Sequence, residues 1–305
     1  MAHSSRRAPN TYRHVAPFAA CCLLAGSALA YAAPQDAAAL LAVPPRTWAV
    51  DTAANEILVV QHPGSYLRYR MHVVDEKGDQ IRDQIETLDG SVARLILRDG
   101  RPLTPDEDAA ERSRLTDLLA SPSAFHRHID TEQTNKKRGV DILKLMPDAM
   151  LWTYAPNQPQ TRVPPPAPGT PPAAPQIVLD FTPDPAWSPP TMTSEALTGL
   201  RGRIWIDSQT HRMVRLEGDL FRAINMGWGV LAHVYPGGTI LLQQTNAGGQ
   251  RWIVDHIDER LSVRALMVKT VKQRLVFDTG DYQTIGPLSY RDAIKLLLDS
   301  PLPTH

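Results

Sequence analysis

Two histidines and a short acidic run are the residues whose types could do chemistry. His126 and His128 stand two apart, and on a helix that spacing turns the rings about 200° from one another. Only His126 and Asp130 could then share a face, and a solvated helix surface is the better reading. Asp255, Asp258 and Glu259 supply carboxylates for acid and base work. They flank an expected turn, where acidic side chains are ordinary, and a glycosidase pair needs a defined separation. The chain carries no P-loop, dinucleotide fingerprint, HExxH, nucleophile elbow or CxxC. No catalytic group, metal site or cofactor is therefore read from the sequence.

A second set suggests binding. Met146, Met150, Trp152, Met213, Met226, Trp228 and Met267 offer flexible thioethers and broad rings, which suit a cavity for variable apolar ligands. Ile204, Ile206, Val214 and Leu216 join them as candidates for an apolar lining. Packed core is the commoner use for any one of these residues. Only a curved sheet partly covered by helices would leave room for a ligand.

The elements that must position them centre on residues 197–244. Arg203 to Asp207 alternates, turns at Ser208-Gln209-Thr210 and resumes as Met213 to Glu217, so the spacing predicts Ile204, Ile206, Val214 and Leu216 on one dry face. A strand from Met226 to Val234 and another from Thr239, joined through Pro236-Gly237-Gly238, complete an expected four-stranded antiparallel meander. Glycines at 199, 202, 218, 227 and 229 favour a curved sheet; the alternative is that they loosen a sandwich.

Around this unit the pattern predicts a helix over 47–59, strands over 66–74, 80–88 and 92–98 with hairpin turns, and a helix from Pro105 to about Leu119. Thr104, Pro105 and Glu107 form the signature of a capping box. Ser121-Pro122 starts a second helix, and a third apolar patch follows a break at 135–139. A strand over 149–154 leads into 155–175, nine of whose residues are proline; this is read as an extended loop insertion, with a ligand for a proline-binding module as the sharper alternative. Strands over 176–181, 251–257 and 261–277 (the last one strand or a pair) follow, then a helix capped by Ser289. The total is about eleven strands and four helices, an α+β fold.

Residues 1–32 read as a cleaved secretory signal: Arg6, Arg7 and Arg13 precede an apolar run ending in small-x-small sites. A transmembrane anchor is the rival, but Pro17 and Gly26 interrupt the run and it is short of a span; a lipoprotein site at Cys21 is weaker still. Both cysteines, Cys21 and Cys22, fall inside the signal, so the exported chain is expected to hold no disulfide or thiolate metal site. Its 29 basic and 32 acidic side chains give a net charge of −3. A near-neutral surface argues against nucleic acid and anionic lipid.

The amino-terminal helix, the hairpins, the helices after the third strand and the strand Gly202-x-Ile204-x-Ile206-Asp207 followed by His211-Arg212-Met213-Val214-Arg215-Leu216-Glu217 together resemble the outer-membrane lipoprotein-sorting, LolA-like superfamily. The resemblance covers residues 33–305 and departs from the compact carrier in the proline insertion. It implies a single curved antiparallel sheet forming an unclosed half β-barrel, with helices covering the concave face. It also implies a monomeric periplasmic carrier or chaperone for lipid acyl chains or lipidated proteins, and an arginine that locks the helical lid, with Arg68 and Arg70 both in the corresponding region. The alternative is a non-catalytic envelope interaction protein whose core is filled by its own side chains and which meets a protein partner through the proline loop or a sheet edge. A hydrolase stands third.

Overall fold

The computed structural model describes residues 37–160, 175–226, 232–248, 251–265 and 269–303. Two helices open the described chain, α1 (Ala37–Ala42) and α2 (Pro45–Gln61), followed by β1 (Tyr66–Asp75), β2 (Gly78–Thr87), β3 (Gly90–Arg98) and the two-residue β4 (Arg101–Pro102). Helices α3 (Pro105–Ala120) and α4 (Pro122–Ala149) separate these from β5 (Met150–Tyr154) and β6 (Gln176–Pro183). A short 3-10 helix (Thr193–Thr198) precedes β7 (Leu200–Asp207), β8 (Met213–Leu220), β9 (Ile224–Met226), β10 (Ala232–Val234), β11 (Thr239–Asn246), β12 (Trp252–Ala265) and β13 (Lys269–Ile285). Helix α5 (Tyr290–Asp299) ends the fold.

All thirteen strands belong to one antiparallel sheet, whose main path runs β4-β3-β2-β1-β13-β12-β11-β8-β7-β6-β5. Its two ends, β4 and β5, do not pair with each other, so the sheet is not closed into a barrel. The strand register lays an apolar row across it. Leu179, Ile204, Leu216, Leu242, Ile257, Phe277 and Val73 are successive cross-strand neighbours, and directly opposed residues of antiparallel strands share a face. We call this the inner face. Trp48 of α2 and Leu40 of α1 pack on it against Ile177, Leu179, Ile204, Ile206 and Met213.

The opposite face carries a polar row. Gln243, His256, Asp278 and His72 are successive neighbours there. Asp278 sits 2.6 Å from His256 Nδ1, and His72 Nε2 lies 2.8 Å from Asp79. Nearer the start of the sheet the same face turns apolar, and Ile85 and Val92 bury against Ala293, Ile294 and Leu297 of α5. Helices thus pack on both sides of the sheet.

Helix α3 covers an edge. The sequence signals locate its start: Thr104 accepts from the Glu107 amide at 3.3 Å, and Glu107 accepts from the Thr104 amide at 2.8 Å. The outer edge of β3 is then tied to helix side chains. Leu95 N–H donates to Glu111 at 2.7 Å, Arg114 donates to the Ala93 carbonyl at 2.6 Å, and Ser91 N–H donates to Glu132 of α4 at 2.9 Å. Such bonds use up the free donors and acceptors that would otherwise template another strand.

Four expectations are corrected. The break expected at 135–139 is absent, because α4 runs unbroken for 28 residues. Lys136 and Lys137 there pair with Glu132 and Asp141 one turn away, which supports the helix across Gly139. The single strand expected from Met226 to Val234 is not formed: Met226 ends β9 and Ala232 begins β10, and these two residues lie opposite each other in an antiparallel pair. The four-stranded meander is therefore interrupted, β11 returning to β8 while β10 extends β12. Nor is there a turn at Asp258 to Arg260: Asp258 pairs with Leu241 on one side and Val276 on the other, so β12 is continuous.

The fourth correction concerns the dry face of β7 and β8. A bulge between Trp205 and Ile206 places Ile206 opposite Met213. Ile204, Ile206, Met213 and Leu216 share the inner face, while Val214 packs with Trp205 and Val178 on the other side. One extra residue is enough to change a side chain's face. A second close approach is set by glycine: at Gly202 a Cβ would lie 2.0 Å from the Glu217 carbonyl oxygen.

Candidate functional site

Between α2 and α4, above the inner face, lies an open cavity of about 580 Å³. That size falls within the roughly 300–1,000 Å³ of ligand pockets. Val59 and Val60 reach it from α2, Ile129 and Glu132 from α4, and Tyr69, Gln84, Glu86, Val254 and Phe277 from the sheet. Apolar groups form much of the wall, and polar groups converge on the floor. Gly90 lets α4 come close: its φ is +144°, and a Cβ there would meet Ile129 Cδ1 at 2.5 Å.

The polar floor is tightly bonded. Tyr69 accepts a hydrogen bond from Gln84 at 2.7 Å, and burial pushes its phenol well above its ordinary range. Glu86 accepts from Leu67 N–H at 3.0 Å and from Arg251 Nη2 at 2.7 Å. Burial raises the Glu86 carboxyl, opposed by the Arg251 charge and the Leu67 amide. Arg251 also donates through Nη1 to the Trp252 carbonyl at 3.0 Å. Its side chain is only 9% exposed, and its buried Nε–H has no partner among the described residues.

Glu56 closes the α2 side. It accepts from Met213 N–H at 3.0 Å and Gln244 at 2.8 Å. Burial raises its carboxyl against the pull of Gln244, Met213 and Arg212. Glu132, on the α4 side, is lowered: desolvation opposes the shift, but bonds from Lys136 and Ser91 outweigh it. What this arrangement can do is hold a molecule with an apolar body and a few hydrogen-bonding atoms.

The residues singled out from sequence lie elsewhere. Met146 and Met150 pack with Phe181 and Leu197. Ile204 and Ile206 lie under Trp48, and Trp152 and Leu216 pack where these two clusters meet. None of them lines the cavity. Val214 is on the opposite face. Trp228 and Met267 lie outside the described residues, as does the side chain of Met226.

His126 and His128 are both exposed on α4, and His128 Nε2 lies 2.9 Å from the Ser91 carbonyl. Asp258 and Glu259 are adjacent in a strand and point to opposite faces. Asp258 pairs with Arg260 at 2.8 Å and is held low by it, whereas burial raises Asp255 and Glu259. Among the described residues, no three His, Cys, Asp or Glu side chains are placed to hold a metal ion. No described helix is long and apolar enough to cross a membrane.

Of the two arginines, Arg68 holds a helix. It pairs with Asp83 through Nε at 3.0 Å and Nη2 at 2.5 Å, and reaches Ser300 Oγ at the end of α5 at 2.9 Å. Arg70 leaves a buried Nη1 without a partner among the described residues. The stronger clamp is one that the sequence reading missed. Arg94 donates to the Leu297 and Ser300 carbonyls at 2.6 and 2.8 Å and to Asp108 of α3 at 2.8 Å, with its side chain 3% exposed. Its signal was an arginine standing two residues from Val92 and Ile96 in an alternating strand, on the side expected to be dry.

No protein-family model matches the chain, and no curated protein is similar to it. Among solved structures, it is similar to a DUF1329 family protein from Desulfovibrio piger, with 10% identity, a TM-score of 0.28, and coverage of 81% of this chain and 96% of that one.

Proposed function

We propose that this chain is an exported, non-catalytic binding protein of the bacterial periplasm, a carrier or chaperone that holds a lipid acyl chain or a lipidated partner in the cavity between α2 and α4. One observation carries the reading. The cavity is open, and Val59, Val60, Ile129, Val254 and Phe277 offer an apolar bed over a polar floor. Each methylene buried there contributes about 0.8 kcal/mol, so a dozen would supply about 10 kcal/mol before the cost of association. Binding of that kind requires no nucleophile and no metal.

A second reading has its own support. Met146, Met150, Ile204 and Ile206 are buried among themselves and their neighbours, as in an interaction protein whose core is self-filled. The two readings separate on purified mature protein. Native mass spectrometry of protein from its own envelope, with extraction of any bound molecule, should reveal an acyl-bearing ligand. Val60 is 38% exposed at the cavity wall, so Val60→Arg should keep the fold, measured by circular dichroism, and abolish uptake of a fluorescent acyl probe. A clean apo mass with no probe uptake by the unaltered chain would leave the interaction protein standing.

A further inference from the structure

The inner face carries a charge that nothing answers. Glu259 of β12 lies opposite Ile240 of β11 on one side and Leu275 of β13 on the other. Along its own strand, Ile257 and Leu261 stand two residues before and after it, on the same face. A carboxylate is thus set at the centre of an apolar cross. Among the described residues it makes no hydrogen bond and no ion pair, and burial alone raises its carboxyl. It is half-buried, and neither of its oxygens is among the buried polar atoms that lack a partner, so both stay open to solvent.

The apolar strip around Glu259 continues into the cavity. Phe277, which lines the cavity, lies directly opposite Ile257. Leu275 precedes it by two residues on the same face, so Glu259 is the diagonal cross-strand neighbour of Phe277, about 7–8 Å away along the sheet. Ile240, Ile257, Leu275 and Phe277 are all half-buried. Among the described residues they join none of the buried clusters of the fold. A chain seated on Phe277 can therefore run over Ile257 and Leu275 and bring its head to Glu259. An ionised carboxylate in apolar surroundings is costly unless it is paired. A positive head would supply the pair, and a negative head would meet a like charge.

We propose that the apolar bed extends past the cavity along β12 and β13 and ends at Glu259, which receives the ammonium group of a long-chain amine. This inference rests on the reading of the chain as a binder of acyl-type tails and names the chemical class of its ligand, a cationic single-chain amphiphile. Phe277, Ile257 and Leu275 hold the tail, and Glu259 reads the head.

The test compares decylamine, decanol and decanoate, each below its solubility limit, by isothermal titration on the full mature protein at pH 8, where an ordinary amine is protonated and a carboxyl ionised. The amine should bind about ten-fold tighter than the alcohol, the worth of one charged hydrogen bond at a half-exposed site, and the acid should bind weakest. Glu259→Gln keeps the shape of the side chain and removes an unpaired charge. It should retain the urea midpoint and erase the preference while the tail still binds. Asp258→Asn, one residue away on the opposite face, should leave the preference as it is. Equal or tighter binding of the alcohol or the acid by the unaltered chain, a preference that survives Glu259→Gln, or one that is lost in Asp258→Asn overturns the inference and leaves tail binding intact. Failure of all three ligands to bind overturns the parent reading with it.

Discussion

Replacing Arg94 by methionine should loosen α5 from the sheet and cost a large share of the stability of the chain. The arginine makes three hydrogen bonds at 2.6–2.8 Å, two to the Leu297 and Ser300 carbonyls at the end of α5 and one to Asp108. Methionine preserves much of the apolar stem, so the loss isolates those bonds from packing. Charged hydrogen bonds are worth about 1.5–3 kcal/mol each, but they are not additive. Breaking a buried pair costs about 3–5 kcal/mol. Asp108 is 26% exposed and recovers water when its partner goes, which places the expectation near the lower end, about 3 kcal/mol. With a urea slope of about 3 kcal/mol per molar, suited to a large domain, the midpoint should fall by about 1 M with the slope unchanged. Hydrogen exchange should show the α5 amides losing protection first. Asp108→Asn, which keeps the two carbonyl bonds, should cost about 1 kcal/mol. A midpoint shift below about 0.3 M for Arg94→Met would refute the assignment of Arg94 as the clamp of α5.

Glu56→Gln should change how stability depends on pH. The native carboxyl is raised above 4.5 by burial, so the folded state binds the proton more tightly than the unfolded one, and stability falls as pH rises from the unfolded value through the folded one. Between pH 4 and pH 7 the urea midpoint should therefore fall less, or rise more, in the variant than in the parent; an equal change in both would refute the argument. Glu86, Asp255 and Glu259 are raised too, whereas Glu107, Glu132 and Asp258 are lowered and contribute with the opposite sign, so the share of Glu56 is read from the change between variant and parent and not from the slope itself. Gly90→Ala should cost about 1–3 kcal/mol, from a positive φ and the contact with Ile129. Adding Ile129→Val should recover part of that loss, and full recovery would show that the backbone conformation carries no cost.

Much of the fold was legible in the sequence because its signals are local. Thr104, Pro105 and Glu107 announce α3 through side chains that bond within one turn, and Ser289 does the same for α5. Alternation gave the strands of the first hairpins to within two residues. The cavity was not legible, because it is made by side chains from eight separate elements. Glu56 and Gln244 are 188 residues apart in sequence and bond at 2.8 Å. Arg251 and Glu86 are 165 apart. The methionine and tryptophan candidates were chosen for plasticity, a property that suits a packed core as well as a pocket. Val214 was misplaced because a bulge leaves no clear mark in an alternating pattern.

The pairing of β1 with β13 joins the first strand of the sheet to the last, Tyr66 lying opposite Ile285. It has consequences for the order in which the molecule can be assembled. Strands β1 to β3 can pair by short hairpins as soon as they leave the ribosome or an export channel. The other side of β1 then stays unsatisfied until about 200 further residues have followed, as the register requires. Contacts that close so late fold slowly. During that interval β1 presents a row of amides and carbonyls to any passing strand. Its outward His72 meets Asp278 only when β13 docks. Refolding should therefore show a slow phase that reports β13 docking, and chains truncated before Lys269 should associate through β1 even though their hairpins are formed.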